Sequence, residues 1–305
     1  MYEIVDERLF IADNFCKRLD IFLSEKTGKS RSYCSKLVNE GFVLLNEKIS
    51  EKPSRKVEQF DRILVRFPRE EAFDLTPKQI DFDVVYEHEE YVVINKPAGI
   101  TVHPAAGNYS DTLVNGLLYK FDIEMGDEDV RPGIVHRLDK NTSGLMIIAK
   151  NSLAKQKFSE LFSSRKIVKK YKAICYGKPK EDFYSVENKI GRHPVDRKKM
   201  AVTEKGRQAK TDVLIMERFK NEFLCEVTIH TGRTHQIRVH MLSLGFPIIG
   251  DDLYCNKKSL NYPIDRQSLH AFSLSFVCPF SLQEKIFEIE LPEDILSLIA
   301  FLKKQ

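Results

Sequence analysis

Tryptophan is absent from the 305-residue chain, so its core must rest on the 20 phenylalanines and on Leu, Ile and Val. Cysteine is sparse as well. The six cysteines, at positions 16, 34, 175, 225, 255 and 278, include no C-x-x-C pair, which excludes a zinc ribbon and gives no sign of a disulfide framework. Reduced thiols of a cytoplasmic protein are the simplest reading. No apolar run approaches the ~20 residues that a membrane helix needs. The opening MYEIVDERLF lacks the basic segment and apolar stretch of a secretion signal. Neither sign of charge dominates: 48 Lys plus Arg face 44 Asp plus Glu, a net +4. At 30% charged and 42% hydrophobic, the composition is globular and excludes wholesale disorder.

The length is about twice that of a usual domain, and the charge is uneven. Residues 16–69 carry 13 basic and 7 acidic side chains, so the surplus sits near the N-terminus. A small unit is expected over residues 15–68. RLDIFLSEKTG places Leu19, Phe22 and Leu23 at helical spacing, and Ser30 is a suitable cap for a second helix that ends at Gly41. FVLLNEKIS and DRILVRF read as short strands. Residues 69–80 follow Pro68, contain Pro77 and show mixed charge without periodicity, and read as a linker. A larger unit is expected over 81–305, with DVVYEHEEYVVINKP as two strands around an acidic turn. Helices capped by Ser110 or Asp111, by Asn151 and by Thr234 are expected within it, and a last helix over DILSLIAFLKK. Strands outnumber helices and do not alternate with them, which predicts an α+β fold.

Several apparent motifs fail on inspection. EKTGKS resembles the end of a phosphate loop, but Leu23 stands where the essential first glycine belongs. HRLDKNTS resembles a kinase catalytic loop, yet it has an extra Leu138, and the chain lacks both the glycine loop and D-F-G. His230, His235 and His240 recur every five residues, a spacing that turns side chains away from one another on a helix, so ordinary hydrogen-bonding histidines are expected and no metal site.

Three polar segments lie between the apolar strands of the larger unit: INKPAGITVHP (94–104), RPGIVHRLDKNTSGLMIIAK (131–150) and IHTGRTHQIRVHMLSLGFPIIGDDLY (229–254). Loops dense in Gly, Arg, His and Asp and held by apolar strands are where sites are built. Singly, each has an ordinary reading: a turn, a turn-capping Asp139, a solvated Arg238. Together, PGIVHRLDKNTSGL, TGRTHQIRVH, GDDLY, NKPAGITVHP and KKYKAICYG resemble the RluA-type pseudouridine synthases in order and spacing. RLDIFLSEKTGKSRSYCSKLVNEGFVLLNEKISEKPSRKV resembles the RNA-binding domain of ribosomal protein S-four, with Glu47 where that domain usually has glycine. Cys255 and Cys278 also depart from the usual catalytic-domain residues.

The resemblance implies a catalytic domain with a mixed, largely antiparallel sheet flanked by helices, and a small α/β RNA-binding domain in front of it. It implies that Asp139 is the essential carboxylate, acting by attack on sugar or base or by proton abstraction, with no cofactor and no metal. Such a carboxylate must stay ionised in a site closed against water, which calls for a cation. The family places Arg238 there, whose guanidinium can bind a carboxylate through two parallel hydrogen bonds. Tyr171 is expected to stack on the uracil, with a hydroxyl able to help deprotonate the new carbon linkage. Arg137 is expected to fill the space left by a flipped uridine. His136 is expected to shape the loop or touch phosphate, and Arg233 and His235 to bind substrate. Arg18, Lys29, Arg31, Lys36, Lys52, Arg55 and Lys56 are expected to meet phosphates of structured RNA. The expected partner is ribosomal RNA of the large subunit or an assembling ribosomal particle, met by a monomer. Transfer RNA is the alternative substrate, and a non-catalytic RNA-binding assembly factor the alternative class.

Overall fold

In a computed structural model, the chain is described at all residues except 1–3, 14, 16–17, 51, 69–73, 105–109, 127–130 and 256–261. It divides into two units, Met1–Ala72 and Phe73–Gln305. In the first, the spacing of Leu19, Phe22 and Leu23 becomes α1 (Leu19–Thr27), which buries all three and stops at Gly28 in the left-handed region. Ser30 caps α2 (Arg31–Asn39) by accepting the Tyr33 N–H. Both helices share a core with an antiparallel sheet in the order β1-β4-β2-β3, formed by β1 (Ile4–Ile11), β2 (Val43–Leu45), β3 (Lys48–Ile49) and β4 (Arg62–Pro68). Strand β1 lies before residue 15, where the sequence reading begins the unit. Ile4, Val5, Leu9 and Ile11 are exposed and show no inward–outward alternation, so no periodic signal marks the strand.

The second unit is built on β5 (Asp83–Glu87), β6 (Tyr91–Lys96), β7 (Ser143–Ala149), β8 (Val168–Tyr176), β9 (Phe183–Arg192), β10 (Met200–Val202), β11 (Arg207–Arg218), β12 (Glu222–Ile229) and β13 (Leu269–Val277). They pair in the order β10-β9-β11-β12-β8-β13-β7-β6-β5, and β14 (Glu284–Glu288) joins β13. The β7–β13 pair is parallel and the other ladders are antiparallel. Strand β7 is buried throughout, as its unbroken run GLMIIA requires. Its alternation sorts two cores. Met146 and Ile148 face Leu113 and Leu117 of α3 (Leu113–Lys120) and Ile237 and Met241 of α5 (Gln236–Ser243). Leu145 and Ile147 face Ala154 and Phe158 of α4 (Ser152–Ser163). Helix α6 (Glu293–Leu302) covers Ile174 and Ile249. Each such Leu, Ile, Met or Phe side chain, fully buried, contributes roughly 1.5–3 kcal/mol. The fold is α+β.

Three local expectations need correction. Residues 74–80, read as linker, are tied to α3: the Asn115 amide donates to the carbonyls of Asp74 (2.7 Å) and Thr76 (2.9 Å). Ile80 also packs so close to Gly116 that a Cβ there would sit 2.8 Å away. The Lys78 N–H also bonds the Asn115 carbonyl at 3.1 Å, and composition reveals none of these contacts. Thr112, not Ser110 or Asp111, caps α3, with Asn115 Oδ1 accepting its N–H at 2.9 Å. His235, not Thr234, opens α5 and sits in the left-handed region at φ 55°.

Candidate active site

The loop before β7 carries Asp139. It is fixed on one side by Gly133, whose positive φ and tight approach to the Ala149 carbonyl leave no room for a Cβ. His136 sits inside this loop: its Nε2 accepts the Ile147 N–H at 2.8 Å and its ring lies 4.4 Å from that of Phe162. Burial, with Lys169 nearby, pushes its imidazole down to about 3, so the ring is neutral and already engaged. That geometry ties His136 Nε2 to the loop and to β7. Leu138 anchors the loop in the core, and the Thr142 N–H bonds the Asp139 carbonyl at 3.1 Å.

The first polar segment braces the loop from below. Lys96 is fully buried and donates to the carbonyls of Pro97 (2.7 Å), Ile100 (3.1 Å) and Lys140 (3.1 Å). Burial, reinforced by Arg266 and opposed by Asp139, pushes its ammonium down to about 7. Sequence reading sees only a turn in NKPAG, because the three carbonyls that Lys96 holds converge only in the fold.

The third segment supplies the cation. Gln236 is buried and ties the segment to β11: it accepts from the Thr231 hydroxyl and the Arg233 N–H, and donates to the Lys210 carbonyl and Thr211 Oγ1. Further along the helix, Arg238 donates through Nη1 to Asp139 Oδ2 at 3.2 Å. The two parallel hydrogen bonds expected toward Asp139 run instead to Asp251: Nε to Oδ2 at 2.7 Å and Nη2 to Oδ1 at 2.8 Å. Asp251 has no exposed side-chain surface, and its Oδ1 also accepts the N–H groups of Leu253 and Tyr254. Its place depends on Gly250, whose positive φ and close passage under the Arg266 carbonyl exclude any side chain. Burial opposes the Arg238 charge, but Asp251 and then Asp139 more than offset it, so the guanidinium titrates even higher than usual.

Tyr254, in the same GDDLY segment, backs Arg238 and His235. Its ring lies 5.0 Å from the Arg238 guanidinium, and its hydroxyl accepts the Met200 N–H at 2.7 Å and meets His235 Nδ1 at 2.9 Å. A hydroxyl that accepts from Met200 and donates its own proton to Nδ1 leaves the imidazole proton on Nε2. That atom faces Asp139 Oδ2 at 4.0 Å. Tyr171, a buried residue of β8, completes the group. Burial, and then the Asp139 charge, raise its hydroxyl above the ordinary phenol value, so the side chain stands there neutral.

The second and third segments and β8 meet around one cavity of about 430 Å³, the size range of small-ligand sites. Asp139, Tyr171, Arg238, Arg137, Arg233 and His235 all reach it. His136 also borders the cavity. Arg137 Nη1 stands 3.5 Å from His103 Nε2, and Arg233 Nε donates to the Gln208 carbonyl at 3.0 Å. Asp251 and Tyr254 act one layer behind the cavity. Their motif is visible in the sequence but the roles are not, because both act through Arg238 and His235. The spaced histidines separate: His230 meets Asp212 at 2.6 Å and His240 meets Thr211 at 2.8 Å.

In the first unit, Lys29, Lys36, Lys52, Arg55 and Lys56 are exposed. Arg18 and Arg31 are partly committed elsewhere. Arg18 makes two bonds (2.8 and 2.9 Å) and Arg31 one (2.9 Å) to the buried Asp20. Arg18, against the cost of burial and with help from Arg31 and Ser35, holds the Asp20 carboxyl well below the usual range. Among the described residues, no helix is long and apolar enough to cross a membrane.

A carboxylate held by a buried arginine, beside a buried tyrosine and under a rim of cations, is equipment for breaking and remaking a bond in an anionic polymer. A mixed α+β unit with such a cavity, in a chain that also carries a basic unit, fits the class of enzymes that act on nucleic acid. The RNA pseudouridylate synthase family matches residues 90–243, and the S4 domain matches residues 17–63. An RNA pseudouridine synthase of Aquifex aeolicus is 42% identical over 298 residues, covering 94% of each chain. Ribosomal large subunit pseudouridine synthase D of Neisseria meningitidis is 40% identical over 299 residues, covering 94% of this chain and 79% of that one. The solved structure of human RNA pseudouridylate synthase domain containing 4 overlays with a TM-score of 0.56 at 26% identity, covering 72% of this chain and 93% of that one. The chain belongs to the RNA pseudouridylate synthase family and is an RNA pseudouridine synthase with an N-terminal S4 domain.

Proposed function

We propose that the enzyme isomerises specific uridines of structured large-subunit ribosomal RNA, with Asp139 as the catalytic carboxylate. The observation that carries this reading is the placement of Asp139 in the cavity, one hydrogen bond from the buried Arg238 and beside Tyr171. In the reaction, the bond from ribose C1′ to uracil N1 breaks and a bond from C1′ to C5 forms. The proton on C5 leaves, and N1 gains one. Asp139 serves the first step as nucleophile or as base toward the sugar. Arg238 aims it and supplies positive charge beside it, Tyr171 stacks on the base, and His235 Nε2–H offers a donor beside the carboxylate. Arg137, at the exposed rim of the cavity, takes the space that the flipped uridine leaves, and Arg233 meets the strand there. Flipping costs a few kcal/mol, which strand contacts to these cations offset.

Ribosomal RNA is favoured because several relatives that match over more than nine-tenths of this chain carry the name ribosomal large subunit pseudouridine synthase D. The exposed Lys29, Lys36, Lys52, Arg55 and Lys56 of the S4 unit supply phosphate contacts. Replacing Lys52, Arg55 and Lys56 by alanine lowers RNA affinity and flattens its salt dependence by about one unit of slope for each phosphate no longer neutralised.

The deciding experiment maps pseudouridine across total cellular RNA, by carbodiimide-blocked primer extension, from cells with the gene, without it, and rescued with Asp139→Asn. Large-subunit sites lost in the deletion and not restored by Asp139→Asn are expected. Sites lost from transfer RNA alone would overturn the ribosomal assignment. Full restoration by Asp139→Asn would overturn the role of Asp139.

A further inference from the structure

The cavity is lined by four cations, Arg137, Lys169, Arg233 and Arg238, and by a single carboxylate, Asp139. Arg238 is spoken for by Asp139 and Asp251. Lys169 is different. It stands at the start of β8, two residues before Tyr171, so both side chains project from the same face of the strand into the cavity. It is partly buried, and its ammonium lies 5.3 Å from the Phe162 ring centroid, beside Gly232. Among the described residues, no carboxylate pairs with it. Its strand neighbour Lys170 shares Glu226 with Lys172, on the opposite face from Tyr171. Taking a cation out of water without an anion is unfavourable, and here burial alone pulls the ammonium down to about 8. A protein that keeps such a group at the wall of its reaction cavity keeps it for an anion that arrives from outside.

We infer that Lys169 is a binding residue for the RNA backbone, receiving a phosphate that flanks the extruded uridine while the base lies against Tyr171. This rests on the proposed placement of the target uridine in the cavity. The two positions are offset by about 7 Å along the strand, the scale on which a nucleotide's phosphate stands off from its base. A lysine suits the task because a compact charge on a flexible stem follows a phosphate whose orientation changes as the base detaches and turns. The arginine fork of Arg238, by contrast, holds a carboxylate in one fixed geometry. If Lys169 instead served only the C-terminal end of α4, replacing it would alter stability and leave the enzyme blind to changes in the RNA backbone.

The test compares wild type, Lys169→Met and Lys169→Arg on total RNA from cells lacking the gene, and then on a stem-loop around a uridine that the wild type converts. Lys169→Met is expected to raise KM about tenfold or more, the worth of one hydrogen bond to a charged group, with a much smaller effect on kcat. Lys169→Arg restores most of the loss. A neutral methylphosphonate at the flanking position costs the wild type a similar factor and costs Lys169→Met nothing further, which is the signature of a direct pair. An unchanged KM in Lys169→Met, or losses that simply multiply at both flanking phosphates, overturns the inference and leaves the reading of the site intact. Absence of any conversion by the wild type overturns both. Conversion confined to transfer RNA removes only the ribosomal assignment.

Discussion

Arg238 holds Asp251 with both arms of its guanidinium, at 2.7 and 2.8 Å, and reaches Asp139 with one nitrogen at 3.2 Å. The carboxylate with no exposed surface anchors the arginine, and the carboxylate in the cavity receives what is left of its charge. This division is physically sensible. A carboxylate bound through both oxygens would be poorly placed to attack or to accept a proton, whereas one held through a single oxygen keeps the other free. Asp251 thereby positions the cation that positions Asp139.

Asp251→Asn removes that anchor. Breaking a buried ion pair from one side costs about 3–5 kcal/mol. Thermal and urea unfolding are expected to show a loss of that order, together with a large fall in turnover by protein that remains folded. Stability and turnover equal to wild type would contradict the role assigned to Asp251.

Tyr254→Phe keeps the ring against Arg238 and removes the hydroxyl that joins the Met200 N–H to His235 Nδ1. The expected cost is about 1 kcal/mol of stability for the missing bonds. Turnover is expected to fall roughly tenfold through a misplaced His235, with RNA affinity nearly unchanged. Steady-state kinetics alongside filter binding separate the two effects, and equal losses in both would argue against a positioning role.

Asn46 and Glu47 join β2 to β3 with φ of 49° and 69°, a turn whose second position favours glycine. The left-handed conformation costs the glutamate about 1 kcal/mol. Glu47→Gly is expected to stabilise the first unit by up to that amount, read as a higher unfolding midpoint of its transition in the full chain. A lower midpoint would mean that the glutamate side chain contributes more than its backbone costs.

Acid is expected to destabilise the second unit well above the carboxylate range. Burial, the leading cause at each site, pushes His103, His240 and His270 down to about 4 and His136 to about 3. Below about pH 6.5 the unfolded chain takes up protons that the folded chain refuses. Stability is therefore full above that pH and falls as the pH drops toward 4, by about 1.4 kcal/mol per histidine per pH unit. Urea midpoints measured between about pH 7.5 and 4.5 check the slope, and His240→Gln should make it shallower. A midpoint that does not move over this range would rule the mechanism out.

Much of this protein was legible in its residues. Hydrophobic spacing marked α1, the Ser30 cap and Gly41 marked α2, and the clustered Gly, Arg, His and Asp of three segments marked the loops that build and brace one cavity. Local chemistry suffices there, because helix and strand periods and turn residues act over a few positions. The strand β1 escaped because its apolar residues are exposed without alternation, and the docking of residues 74–80 because it depends on contacts to Asn115 and Gly116 that form only in the fold. What the tertiary structure alone decided is how the charges are shared. Asp139 and Arg238 lie 99 positions apart, and which carboxylate receives the fork of Arg238 depends on where Gly250 lets Asp251 turn. Lys169 differs from its neighbour Lys170 in the side of β8 from which it projects, one toward a cavity where, among the described residues, no carboxylate pairs with it, and the other toward Glu226. Residue types fix which interactions are available, and burial and distance select among them.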